Sequence, residues 1–247
     1  MTTTSTDRPS TKRIRAALAL CLALLLPAGA AAQAYQCRVP DARLSVPEVR
    51  PDGPRRSMPV AGYTLALSWS PEFCRFRKDS ARHSRQCSGR DGRFGFVVHG
   101  LWPEGTGGRW PQWCARSHPL EARDLAPNLC QTPDTALLAR EWAKHGSCMV
   151  HDPERYFRVQ RILWRSLRFP DYDRLSRKPG LTAGEIRTAF ADANRHWDAE
   201  DVGLVVNNRG WLTEMRLCYG KDFMPTACDA RRFGPKDSAP VKIWRGM

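Results

Sequence analysis

The chain has 247 residues, 42% of them hydrophobic, with nine tryptophans, 39 Lys and Arg against 25 Asp and Glu, and a formal net charge of +14. This length and apolar content suit the core of one domain of ordinary size and argue against two. Beyond the first 34 residues no apolar run could span a bilayer, and the charge steers the protein toward polyanions, unless it only confers solubility.

At the N-terminus Lys12, Arg13 and Arg15 precede an apolar run, Ala16 to Leu26, and small residues follow. This reads as a secretory signal peptide over residues 1–34, with Ala30-Ala31-Ala32 setting cleavage after Ala32 and Ala32-Gln33-Ala34 an alternative after Ala34. The run is too short for a membrane anchor, so a secreted or periplasmic protein is expected, with residues 35–247 as its domain. It would keep 35 basic and 24 acidic residues, a formal charge of +11. Cys21 leaves with the leader and eight cysteines remain, an even set that implies four disulfides without giving their pairing. No paired short Cys spacing supports the competing use, a zinc site.

Residues 38 to 60 are rich in proline and arginine and read as an irregular entry segment that wraps the surface. Tyr63 to Trp69 alternates between Gly62 and Pro71 and predicts a strand; Phe94 to Val98 predicts a more buried one that runs straight into His99. Between them Arg75, Arg77, Lys78, Arg82, Arg85, Arg90 and Arg93 lie in a polar loop. It is either a phosphate-collecting surface or simply solvated.

Asp134 to about His145 has helical spacing, with Leu137, Leu138 and Trp142 on one side. A second helix is expected over Pro153 to Leu167, with Tyr156, Phe157, Ile162, Leu163 and Trp164 facing the core. Thr182 and Glu185 form a capping box that opens a third helix, through about Ala193. Val202 to Val206, a turn at 207–210, and Trp211 to Cys218 predict a hairpin. Helices in the middle and strands at both ends give an α+β domain: a central, mostly antiparallel sheet flanked by helices, single and disulfide-stapled.

Two segments carry chemistry. His99-Gly100-Leu101-Trp102-Pro103 brings a histidine off the end of a buried strand. In Glu141-Trp142-Ala143-Lys144-His145-Gly146-Ser147-Cys148 a carboxylate, an ammonium and an imidazole share one helix turn, with Glu141 and His145 four residues apart. Cleaving RNA without a metal needs a base for the 2′-hydroxyl proton, an acid for the departing 5′-oxygen and positive charge for the phosphorane. Two histidines and a lysine supply these parts. Two other readings remain at this point: a Glu–His pair on a solvated face, and a metal held by Glu141, His145 and His99, which Lys144 would oppose.

HGLWP at 99–103 and EWAKHGSC at 141–148, in this order in a cysteine-rich chain, resemble the two active-site segments of the ribonuclease T2 family, and the similarity runs from about Tyr63 to Cys228. The resemblance implies an endoribonuclease with no metal and no cofactor. His145 would be general base on the 2′-hydroxyl and His99 general acid toward the 5′-oxygen, with Glu141 and Lys144 stabilising the pentacoordinate phosphorus. The products would be a 2′,3′-cyclic phosphate and then a 3′-phosphate, with a bell-shaped dependence on mildly acid pH.

By the same resemblance Trp102 is the base-stacking tryptophan, with Trp110 and Glu104 as neighbours of that base, although each tryptophan could instead pack in the core. Arg140 stands where the family often carries a further histidine. It can hold phosphate bidentately without titrating, which predicts a broader acid tolerance; Ser147 for the usual threonine is a mild departure. Cys114–Cys148 and Cys218–Cys228 are implied as disulfides, with Cys74–Cys87 as the short-range pair and Cys37–Cys130 as the remainder.

The substrate is then single-stranded RNA, acted on by a monomer with no stable protein partner and no membrane anchor. The alternatives are a catalytically inactive basic RNA-binding or toxin-like secreted protein, and a metal-dependent nuclease that also cuts DNA.

Overall fold

The alternation of Tyr63–Trp69 becomes strand β2, Gly62–Trp69, in a computed structural model of the chain. The structure describes Met1, residues 34–35, 37–38, 44–114 and 118–246. The leader expected over residues 1–34 therefore lies outside the described residues apart from Met1 and Ala34. All described residues but Met1 belong to one compact unit, Ala32–Met247.

The other strands are β1 (Ala34–Tyr35), β3 (Arg93–Phe94), β4 (Phe96–Glu104), β5 (Val202–Val206) and β6 (Leu212–Tyr219). The main sheet has the order β4-β2-β6-β5 and is antiparallel throughout, while β1 and β3 form a separate antiparallel pair. The β5–β6 hairpin turns where Asn207 and Gly210 predict it, with Gly210 in the left-handed region at φ 76°. The strand expected to end at Val98 instead continues through His99 and Trp102 to Glu104. Pro103 is tolerated because β4 is an edge strand.

Among the described residues eight α-helices accompany the sheet: α1 (Ser70–Cys74), α2 (Ser84–Cys87), α3 (Ala122–Leu125), α4 (Thr135–Lys144), α5 (Pro153–Ser166), α6 (Tyr172–Leu175), α7 (Ala183–Ala193) and α8 (Ala230–Phe233). Asp134 caps α4 by accepting from the amides of Ala136 and Leu137, and the Thr182–Glu185 capping box opens α7 as expected. One sheet face, carrying Leu65, Leu67, Met215 and Leu217, is buried with Leu138, Trp142, Phe157, Ile186 and Phe190 of the helices. Each large side chain buried there contributes about 2 kcal/mol of transfer free energy.

Two residues depart from the predicted core. Ile162 is 58% exposed, because on α5 the side that carries Tyr156, Phe157, Leu163 and Trp164 meets the sheet and Ile162 falls outside it. Leu137 is only half-buried and lines a surface groove. The arginine loop contains two short helical turns.

Four disulfides join Cys37 to Cys130, Cys74 to Cys87, Cys114 to Cys148 and Cys218 to Cys228. Among the described residues no helix is long and apolar enough to cross a membrane.

Candidate active site

Small side chains form the floor of the site, on the sheet face opposite the core. In the ladder Ala66 pairs with Gly100 and Thr64 with Trp102, but Leu67 pairs with Val98, so His99 is the extra residue of a β-bulge. A bulge breaks the strict alternation of a strand and re-aims one side chain. Here it frees His99 from the ladder and turns its ring toward α4. The backbone of β4 is held from outside the sheet: the Tyr156 hydroxyl bonds both the amide and the carbonyl of Leu101, and Val98 is bonded by residues 131 and 132.

Helix α4 brings Glu141 between the two histidines. Its Oε1 stands 3.9 Å from Nε2 of His99 and its Oε2 3.9 Å from Nε2 of His145. Glu141 is 2% exposed, accepting a 2.6 Å bond from the indole N–H of Trp102 and a 3.1 Å bond from Arg140. Gly100 has to be glycine, because a Cβ there would collide with the Glu141 carboxylate and the Trp102 indole nitrogen. Trp102 itself lies edge-on to His99 at 5.1 Å and tilted against His145 at 5.7 Å.

The two imidazoles have opposite electrostatic settings. Burial, then the charges of Lys144 and Arg140, push His145 down to about 3, and its buried Nδ1 has no hydrogen-bond partner among the described residues. For His99 burial also disfavours the cation. The 2.8 Å bond from Nδ1 to Glu214 and the charge of Glu141 outweigh it and leave the pKa raised. Burial raises the Glu141 carboxyl, against the opposing pull of His99, Trp102 and the two cations. Glu214 feels the same burial, but its bonds to His99 and Arg216 hold it below the ordinary range.

A cleft of about 240 Å³ opens at this centre, lined by Trp102, Glu104, Trp110, Lys144, His145 and Arg231 among others. The structure thus brings all eight expected site residues to one place. Glu104 accepts from Thr64 at 2.8 Å and from Arg231 at 2.7 Å, and the Trp110 ring has Arg56 and Arg231 each 5.3 Å away. A second groove, about 800 Å³, meets the cleft at His99, Arg140 and Arg216. Among the described residues no three His, Cys, Asp or Glu side chains are disposed to hold a metal ion.

Sequence reasoning missed Glu214, Asp52, Arg216, Arg231 and Arg232. Glu214 and Arg216 left a signal, two charges at alternating positions of an otherwise apolar strand. Asp52 left none: it sits in the irregular entry segment, where it bonds Lys144 at 3.0 Å and also Arg140. Those two cations hold the Asp52 carboxyl down at about 2.

Residues 61–178 match the model of the ribonuclease T2 family. A Haemophilus influenzae protein named "Probable ribonuclease" is 38% identical over 194 residues, covering 72% of this chain and 65% of its own. The match therefore spans less than two thirds of that relative. Ribonuclease I of Escherichia coli is 28% identical over 220 residues, covering 70% of this chain and 80% of its own. Among solved structures, an RNase-related protein from Calystegia sepium superposes with a TM-score of 0.56 at 22% identity, covering 74% of this chain and 98% of its own, a likeness of fold.

Proposed function

The chain belongs to the ribonuclease T2 family through residues 61–178, and on that premise we propose that it is an endoribonuclease that cleaves single-stranded RNA without a metal. The observation that carries this reading is the pair of histidines facing one buried carboxylate, each at 3.9 Å, with opposite protonation preferences.

The depressed pKa keeps His145 neutral at mildly acid pH, so it can take the 2′-hydroxyl proton as that oxygen attacks the adjacent phosphorus. The raised pKa keeps His99 charged, so it can give a proton to the 5′-oxygen as the P–O5′ bond breaks. Lys144 and Arg140 supply positive charge for the phosphorane, and Glu141, its pKa raised by burial, can share a proton with a phosphoryl oxygen. The products are a 2′,3′-cyclic phosphate and a 5′-hydroxyl; water in place of the 5′-oxygen then yields the 3′-phosphate. Trp102 and Trp110, with Glu104 between them in sequence, hold the base whose ribose is attacked.

The same reading makes the protein an exported one. The leader pattern of residues 1–34 supports this, and so do four disulfides, which persist in oxidising compartments. N-terminal sequencing of the exported protein tests it, with cleavage after Ala32 or Ala34 expected.

The deciding experiment treats a short RNA and its 2′-deoxy analogue with the protein in excess EDTA at mildly acid pH, and weighs the products. Cleavage of RNA alone, to a 2′,3′-cyclic phosphate, is expected. RNA that binds uncut would make this an RNA-binding protein. Cleavage that needs metal or consumes the deoxy analogue would overturn the roles given to Glu141, Lys144 and His145.

A further inference from the structure

The two cavities that meet at His99 are unequal, about 240 Å³ on the side of His145 and about 800 Å³ on the other. In the mechanism above, the nucleoside whose 2′-hydroxyl attacks lies on the His145 side. The departing 5′-oxygen, protonated by His99, belongs to the strand that runs into the larger groove. A groove more than three times the size of the cleft has room for more of that strand than the nucleotide next to the cut.

Part of this groove is built from residues to which the mechanism gives no role. Besides Val97 and Leu137 it is lined by Phe73 on α1, the helix that follows the end of β2, and by Phe76 on the turn after it. Phe76 is 73% exposed, and among the described residues only Met1 is a more exposed large hydrophobic. The guanidiniums of Arg75 and Arg209 stand 5.4 and 5.7 Å from its ring centre. Arg77 lies 4.4 Å over the Phe73 ring, and Arg82 also lines the groove.

The charge of the groove is uneven in the same sense. Its acids are already engaged: Glu48 by Arg50, Glu72 by Arg75, Asn207 and, at 4.0 Å, Arg209, Asp134 by the first amides of α4, and Glu214 by His99 and Arg216. What remains to meet a ligand is an open aromatic face flanked by cations, the combination that holds a single strand by stacking and by phosphate contacts without reading its sequence.

We propose that Phe76, with Arg77 and Arg209 beside it, forms a stacking subsite for a base of the leaving strand, beyond the nucleotide that carries the departing 5′-oxygen. The proposal rests on the ribonuclease reading and adds a direction to it: RNA extended on the 3′ side of the cut is the better substrate.

The test measures kcat/KM of the full protein on a dinucleotide with one scissile bond, and on the same dinucleotide extended either 3′ or 5′. Wild type is compared with Phe76→Ala, Phe76→Leu and Phe76→Trp. The 3′ extension is expected to raise kcat/KM about tenfold in wild type and in Phe76→Trp, within the range of one base–aromatic stack. In Phe76→Ala and Phe76→Leu the gain is lost, while the dinucleotide is cut equally by all four.

A 3′ gain that survives Phe76→Ala, or a Phe76-dependent gain from 5′ extension instead, overturns the subsite. So does the absence of any gain in wild type. A wild-type protein that leaves the dinucleotide and every longer RNA uncut overturns the ribonuclease reading itself.

Discussion

Nδ1 of His99 lies 2.8 Å from Oε2 of Glu214, although the two residues are 115 positions apart in the chain. The bond joins edge strand β4 to strand β6 across the site face. It fixes which nitrogen of His99 is left for the substrate, Nε2, the one 3.9 Å from Glu141. Glu214 is thus a positioning residue for the proposed acid, much as a carboxylate orients an imidazole in other hydrolytic sites.

Replacing Glu214 with glutamine keeps a hydrogen-bonding side chain and removes one of the two carboxylate charges that raise His99. The alkaline limb of the kcat/KM profile is expected to move to lower pH, with the acid limb unchanged. In the stability profile, the His99 contribution is present below the ordinary value of 6.5 and lost as pH rises through the raised folded pKa, so this loss should shrink in the variant, where only Glu141 still raises His99. An alkaline limb that stays in place would remove Glu214 from this role.

His145 predicts the opposite limb. With its pKa at about 3, activity should persist well below pH 6.5, and Arg140→Gln, by removing one of the charges that depress it, should bring the acid limb upward. The sign for stability also follows: the unfolded chain takes up this proton first, so stability is full above 6.5 and is lost as pH falls from there toward about 3. Urea midpoints and kcat/KM over one pH series check both statements. An acid limb set by a third histidine would contradict them.

Asp52 bridges Lys144 and Arg140, the two cations proposed to meet the phosphorane. A carboxylate in that position competes with substrate phosphate, so Asp52→Asn is expected to lower KM about threefold at low ionic strength, the scale of one exposed ion pair. The effect should shrink as salt is added. A KM that rises instead would show that Asp52 positions Lys144 rather than competing with substrate.

Gly100→Ala places a methyl against the Glu141 carboxylate and the Trp102 indole. Since a displacement of about 1 Å in a catalytic constellation can cost about a hundredfold in rate, kcat is expected to fall by that order. Single-turnover kinetics on a dinucleotide measure it, and circular dichroism should show the fold intact.

Arg187 tests the scaffold apart from the site. Its buried guanidinium donates to the carbonyls of Val202, Phe233 and Pro235 and to Asp237, tying α7 to the C-terminal segment. Arg187→Met leaves three carbonyls without this donor, an expected loss of about 3 kcal/mol. Denaturant unfolding reads it, and activity per folded molecule should change little.

The features that depend on near neighbours were legible in the residues alone. The alternation of Tyr63–Trp69, the capping of α4 by Asp134 and the turn at Asn207–Gly210 are local, so periodicity and turn chemistry located them. Glu141, Lys144 and His145 fall within one helical turn, and their common placement follows from helix geometry alone.

Features that depend on sheet register and on how the helices lie across it emerge from the folded chain. The bulge that turns His99 toward Glu141 arises from how β4 pairs with β2. Glu214 reaches His99 because β6 lies on the other side of β2, and Asp52 reaches Lys144 because an irregular segment crosses the helix end. Periodicity tells which side of an element is apolar, as it did for most of α5. It cannot name the partner of a polar side chain on the opposite side, because that partner is chosen by packing between residues far apart in the chain, as the His99–Glu214 bond shows.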